Sequence, residues 1–131
     1  MTFTPEEQQF LRQQSIGRLC TVGPNGEPQI RPVGVHLGAD GRIEIVGHAL
    51  SSTQKWRNVI NNPRVAFIVD EVSSVKPPRA HGIEIRGTAE ALRGHGSTHD
   101  GLSGDIIRIT PRRIIAWGID HPDVRARRLG G

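Results

Sequence analysis

The stretch SSTQKWRNVINNPRV, Ser51 to Val65, follows one β-patterned run and feeds directly into another, so it reads as a short helix set on a β scaffold. Hydroxyls and backbone N–H groups collect at the start of that helix, where its dipole is positive, and Lys55 and Arg57 add full charges in the first turn. Such an arrangement seats an anion, and a phosphate-bearing ligand suits it. Ser51 stands three residues before Gln54 at capping-box spacing, and Thr53 is an alternative N-cap. Trp56, Val59 and Ile60 fall at i, i+3 and i+4 and are expected to form the apolar face that docks on the scaffold. At about 3.6 residues per turn, Lys55 and Arg57 point roughly 200° apart, so both reach one anion only if it lies over the helix end. A solvated helix end with an ordinary cap is the competing reading.

Upstream, Gly17 to Val22, Pro28 to Leu37 and Arg42 to Gly47 are β-patterned and separated by Asn25-Gly26 and Asp40-Gly41. Asn-Gly and Asp-Gly supply the positive φ of tight hairpins, so a three-stranded antiparallel meander is predicted. Thr4, Pro5, Glu6 and Glu7 read as an N-cap, a first-turn proline and two dipole-matched acids, opening a helix from Pro5 to Gln14. Downstream, Arg64 to Asp70 is mostly apolar, as in a strand buried on both faces or closing a barrel. Ile83 to Ala91 alternates apolar odd with polar even positions. Ile106 to Ile109 and Ile114 to Trp117 supply the last strand or strands, interrupted by Pro111. Glu71 to Arg79 and Arg93 to Gly104 read as loops, the second a surface loop or a lid. The tail, residues 121–131, is expected to fray unless a ligand or partner subunit holds it. Six or seven strands with two short helices and no crossover pattern point to a mainly β fold, a small antiparallel β-barrel forming one domain over residues 1–131.

A chain of 131 residues suits one core. The 17 Lys and Arg against 13 Asp and Glu give a net charge of +4, and the surplus is arginine because Lys55 and Lys76 are the lysines. This balance fits phosphorylated ligands or nucleic acid, or a compositional habit. With 4% aromatic residues and no RNA-binding signature, a nucleic-acid-binding module is disfavoured. Cys20 alone excludes an internal disulfide and a cysteine-based zinc site within one chain, and its neighbours Leu19 and Val22 suggest a buried structural thiol. His95 and His99 stand four apart among glycines without a third ligand, so no metal is expected. The N-terminus lacks a basic-then-apolar signal, and no apolar run approaches the ~18 residues that span a bilayer. A soluble, cytoplasmic, reduced setting with no membrane partner is the expectation.

Lys55-Trp56-Arg57-Asn58 followed by Asn62-Pro63-Arg64-Val65-Ala66 resembles a signature of the pyridoxamine 5′-phosphate oxidase-like split β-barrel family, FMN-binding-protein-like in fold. More specifically it is similar to the branch that uses the deazaflavin coenzyme F420, including a subgroup with a reductase of a tetracycline pathway. Gly17 to Val22, Pro28 to Val35, Gly82 to Glu90 and Ile109 to Gly118 continue the match. Arg31-Pro32-Val33-Gly34-Val35-His36 stands where true pyridoxamine phosphate oxidases carry R-x-V-L-L-K, which argues against vitamin-B6 oxidation. The resemblance implies a homodimer with cofactor sites at the interface. Ser51, Ser52, Thr53, Lys55 and Arg57 would bind the phosphate, and Arg31, Pro32, Val46 and Gly47 would border the ring or ribityl chain. It further implies hydride transfer between reduced F420 and an unsaturated small-molecule substrate, with no side chain needed as nucleophile and His36 or solvent as proton donor. Arg125, Arg127 and Arg128 would suit an anionic cofactor tail. An FMN-binding flavoprotein and a non-catalytic cofactor-binding protein are the alternatives.

Overall fold

The computed structural model describes residues 2–38, 40–95 and 104–130. Helix α1 (Pro5–Gln13) opens on a reciprocal cap: Glu7 N–H donates to Thr4 Oγ1 at 3.1 Å, and Thr4 N–H donates to the Glu7 carboxylate at 3.0 Å. The helix buries Phe10 and Leu11 against the strands.

The meander follows as β1 (Ile16–Val22), β2 (Pro28–Leu37) and β3 (Ile43–Val46). Its two turns place Gly26 at φ 79° and Gly41 at φ 81°, conformations that cost a side chain free energy. After β3 come a 3₁₀ turn (Leu50–Ser52), helix α2 (Gln54–Asn61), β4 (Arg64–Ser74), β5 (Arg79–Leu92), β6 (Ile106–Trp117) and β7 (Arg125–Arg128). Among the described residues the strands form one antiparallel sheet in the order β3-β2-β1-β4-β5-β6-β7, and an additional β3–β6 pairing closes the first six into a barrel. Closure removes the exposed edges that an open sheet of this size would present.

Alternate residues fill the barrel: Leu19 from β1, Ile43 and Ile45 from β3, Phe67 and Val69 from β4, Ile83 and Ile85 from β5, and Ile107, Ile109 and Ile114 from β6. Each large aliphatic or aromatic side chain so buried contributes roughly 1.5–3 kcal/mol before entropy is counted. The other faces of β4 and β5 are half-buried or exposed, as at Ile68, Glu84 and Arg86, so β4 is a barrel strand buried on one face only.

Several elements differ from the sequence pattern. The expected loop from Glu71 to Arg79 is mostly strand: Glu71 pairs with His81 and Val72 with Ala80, leaving a turn at residues 75–78. Pro111 does not divide the last strand. It lies in β6 between residues 107–109, which pair with β3, and residues 113–116, which pair with β7. There the missing N–H coincides with a bulge in the β5 register, between Arg86 and Gly87. The tail expected to fray is held within the chain, because Arg125–Arg128 pairs with β6 and the Leu129 N–H donates to the Arg112 carbonyl at 2.9 Å. Cys20 is half-buried rather than buried, since it alternates onto the outer barrel face opposite Ile30. Of the apolar triad on α2, Trp56 and Val59 are buried but Ile60 is 62% exposed. Asn58 takes the buried position instead, because its amide has polar partners on β1 and β2. His99 and most of the expected loop from Arg93 to Gly104 lie outside the described residues. No helix among those described is long and apolar enough to cross a membrane.

Candidate functional site

Thr21 and Gln29 are direct cross-strand partners near the end of the β1–β2 hairpin, and Arg31 stands two residues further along the same face of β2. The start of α2 comes down beside them. Together Thr21, Gln29, Arg31, Thr53, Gln54 and Lys55 line a cleft of 470 Å³. No carboxylate is among these lining residues.

Thr53, rather than Ser51, caps α2. Its hydroxyl accepts from the Trp56 N–H at 3.3 Å and donates to the Leu50 carbonyl at 2.6 Å, while its own N–H donates to the same carbonyl at 3.1 Å. The Thr53 side chain is thereby occupied with starting the helix. The next two N–H groups, of Gln54 and Lys55, have no acceptor among the described residues and carry the positive end of the helix dipole. Burial lowers the pKa of Lys55, and the neighbouring Arg31 guanidinium lowers it further. The ion pairs among the described residues involve neither cation. Two like charges thus converge on a cleft otherwise lined by neutral polar groups, and a bound anion would relieve both.

Of the residues expected at a cofactor site, the structure brings Arg31, Thr53 and Lys55 together. Arg57 turns back along its own helix end, donating to the Ser52 carbonyl at 3.2 Å and to Gln54 Oε1 at 2.9 Å. Ser51 and Ser52 belong to the preceding 3₁₀ turn and do not line the cleft. Pro32 and Val46 alternate onto the opposite, outer face of the sheet, and Gly47 follows β3. His36 is exposed on β2 opposite Glu44. Arg127 is engaged with Glu7, while Arg125 and Arg128 are exposed on β7.

Sequence reasoning missed Thr21, Gln29 and Gln54 as residues that line the cleft. A polar Thr at an inward position of β1 was the available signal. Gly23 supports the arrangement, because a Cβ there would stand 2.6 Å from Gln29 Nε2. A second cleft of 470 Å³ lies between the β4–β5 turn and the segment after β6. It mixes Arg79 and His121 with Asp120 and has no helix start, so it lacks the one-signed character of the first.

A helix start with unused N–H groups and two converging cations thus make a positively charged cleft on an antiparallel β-barrel. Residues 3–118 match the family model described as pyridoxamine 5′-phosphate oxidase. The chain belongs to this family. A relative in Streptomyces rimosus, 5a,11a-dehydrotetracycline/5a,11a-dehydrooxytetracycline reductase, is 43% identical over 122 residues, covering 92% of this chain and 86% of that protein. Among solved structures, a conserved hypothetical protein of Mycobacterium tuberculosis superposes with a TM-score of 0.69 at 20% identity, covering 100% of this chain and 94% of the other. An F420 reductase superposes with a TM-score of 0.63 at 22% identity, covering 85% of this chain and 98% of the other. The two structural likenesses show the split-barrel fold of the family. Family membership and the reductase relative support an oxidoreductase.

Proposed function

We propose that the protein is an F420-dependent reductase, transferring a hydride between reduced F420 and an unsaturated organic substrate, with the cofactor phosphate seated between Arg31, Lys55 and the start of α2. The observation that carries this reading is the one-signed cleft: two cations and two helix N–H groups face it, and no acid lines it. A phosphate there would accept from Arg31, from Lys55 and from the two helix N–H groups. The residues present therefore fit the phosphate of such a cofactor.

When bound, the deazaflavin supplies the hydride chemistry. The chain's own residues bind and orient. Arg31 can approach the phosphate with a planar fork and Lys55 with a point charge, while the Gln54 and Lys55 N–H groups fix its distance from the helix. Thr53 holds the helix start in place. The name of the Streptomyces reductase supports an unsaturated polycyclic substrate of the dehydrotetracycline kind.

A homodimer with the ring at the subunit interface belongs to the same proposal. Pro32 and Val46 lie on the outer barrel face, where Ile16 is 52% and Ile30 63% exposed and an apolar groove runs past Cys20 and Ala66. A second copy on that face would cover these residues and bring Pro32 and Val46 towards a ring. FMN is the second reading, because the cleft recognises a phosphate and not a ring.

Titration of the purified protein with F420 and with FMN, read by fluorescence, tests the proposal. F420 is expected to bind more tightly than roughly 100 μM, about −5.5 kcal/mol. Binding of FMN alone moves the assignment to a flavoprotein, and binding of neither overturns it.

A further inference from the structure

Five hydrogen-bonding groups form a chain whose direction is fixed at one end. The Arg57 guanidinium is only a donor, so the Gln54 atom 2.9 Å from it is the carbonyl oxygen. That orientation turns Gln54 Nε2 towards Asn58 Oδ1, at 2.8 Å. Asn58 Nδ2 must then face the barrel, donating to Thr21 Oγ1 at 2.9 Å and to Gln29 Oε1 at 2.8 Å. Asn58 is 2% exposed and uses both amide hydrogens and its oxygen. The amide flip that usually leaves such a residue ambiguous is decided by Arg57.

The consequence reaches the cleft. Thr21 Oγ1 accepts from Asn58, and among the described residues no group accepts the Thr21 hydroxyl proton. Thr21 is itself almost wholly buried, at 2% exposure, and lines the cleft. A hydroxyl whose lone pair is engaged from behind directs its proton to whatever occupies the space in front.

We infer that Asn58 is a positioning residue that sets Thr21 as a hydrogen-bond donor to an unprotonated oxygen of the ligand held in the cleft. Arg57 acts at the far end of the same chain, orienting Gln54 instead of touching the anion. The site is thereby a donor array built on three separate segments: Thr21 from β1, Arg31 from β2, and Lys55 with the helix N–H groups from α2. Such an array takes a phosphate or phosphodiester oxygen and rejects a group that must donate. This inference rests on the phosphate seat proposed above and assigns its third wall.

The test uses the full-length protein, with inorganic phosphate, FMN and F420 as separate probes, and thermal melting to check folding. Thr21→Val keeps the shape and removes the donor, and is expected to weaken binding of whichever probes the parent binds by about tenfold. Thr21→Ser restores a hydroxyl and is expected to restore affinity, a rescue that a packing role for the methyl group would not give. Asn58→Asp replaces the donor with an acceptor, drawing the Thr21 proton away from the cleft, and is expected to weaken binding at least as much as Thr21→Val. If Thr21→Val binds like the parent protein, or Thr21→Ser binds no better than Thr21→Val, this inference falls while the phosphate seat stands. If the parent protein binds none of the probes, the seat itself falls and takes this inference with it.

Discussion

Glu7 and Arg127 form an ion pair that ties the first helix to the last strand, across 120 positions of sequence, with Arg127 Nη1 donating to the carboxylate at 2.9 Å. Glu7 is fully buried and also accepts from the Thr4 N–H, whereas the Arg127 side chain is 36% exposed and also donates to the Thr2 carbonyl. The pair is asymmetric, and so are its consequences. Arg127→Ala leaves a buried carboxylate without its cation and is expected to cost about 2–3 kcal/mol, below the usual range because the arginine is partly solvated. Glu7→Gln keeps the cap on Thr4 and leaves an arginine that water can reach, at about 1 kcal/mol. Urea denaturation of both variants checks the order, and equal losses would mean that the buried charge is not what matters.

The lowered pKa of Lys55 makes the cleft a source of instability in the unliganded protein. A base whose folded pKa lies below its unfolded value carries its penalty at neutral pH. Because the unfolded state binds more protons between the two values, stability rises with pH through that window, just below 10.5. Lys55→Met is therefore expected to raise the melting temperature of the unliganded protein and to remove this rise. The same change is expected to weaken a phosphate-bearing cofactor by about 1–3 kcal/mol. Opposite signs in melting and binding are the signature of a residue kept for function. A variant that lost both would place Lys55 in the structural framework.

The strand registers align three arginines: Arg113 stands opposite Arg86 on β5 and opposite Arg128 on β7. Arg86 has Glu84 as a partner at 2.7 Å, whereas Arg113 has a buried Nε with no acceptor. Like charges placed directly across strands repel, so Arg113→Thr is expected to stabilise by about 0.2–1 kcal/mol. Added salt is expected to stabilise the parent protein more than the variant, since screening relieves the same repulsion. Melting curves at low and high ionic strength compare them.

Gly87 sits at the bulge where β6 passes from one partner strand to another, and a Cβ there would lie 2.1 Å from the Thr110 carbonyl oxygen. That oxygen belongs to backbone and cannot rotate away. Gly87→Ala is expected to cost upwards of about 2 kcal/mol. Gly94→Ala, in open space at φ 68°, provides the contrast of a strained turn without a clash and is expected to cost about 1 kcal/mol. Similar losses from the two would show that β6 can shift to accept a methyl group.

The turns, caps and strand alternation were legible in the sequence because each is set within a few residues. Asn25-Gly26, Asp40-Gly41, Thr4 with Glu7, and Ile83 with Ile85 fall where their local chemistry places them. The position of Lys55 at the helix start, where it lines the cleft, was legible for the same reason, since the cap and first turn are set locally. Arg57 carried the same signal but does not line the cleft. Its guanidinium has a nearer use, in Gln54 and the Ser52 carbonyl, that charge counting does not reveal. Pro111 and the arginine-rich tail misled in the opposite sense. A missing N–H disrupts a strand only where a partner needs it, and a terminus frays only where no edge receives it.

From sequence alone came the β-barrel class, the family resemblance and one wall of the cleft, all encoded in short-range patterning. The tertiary structure alone decided the rest of that cleft. Asn58 meets Thr21 and Gln29 across 37 and 29 positions of chain, in a register that depends on the barrel having closed. A hydrogen bond of that kind has no local precursor. It forms because the meander, the helix and the core dock together, and docking is also what buries Asn58 in place of Ile60.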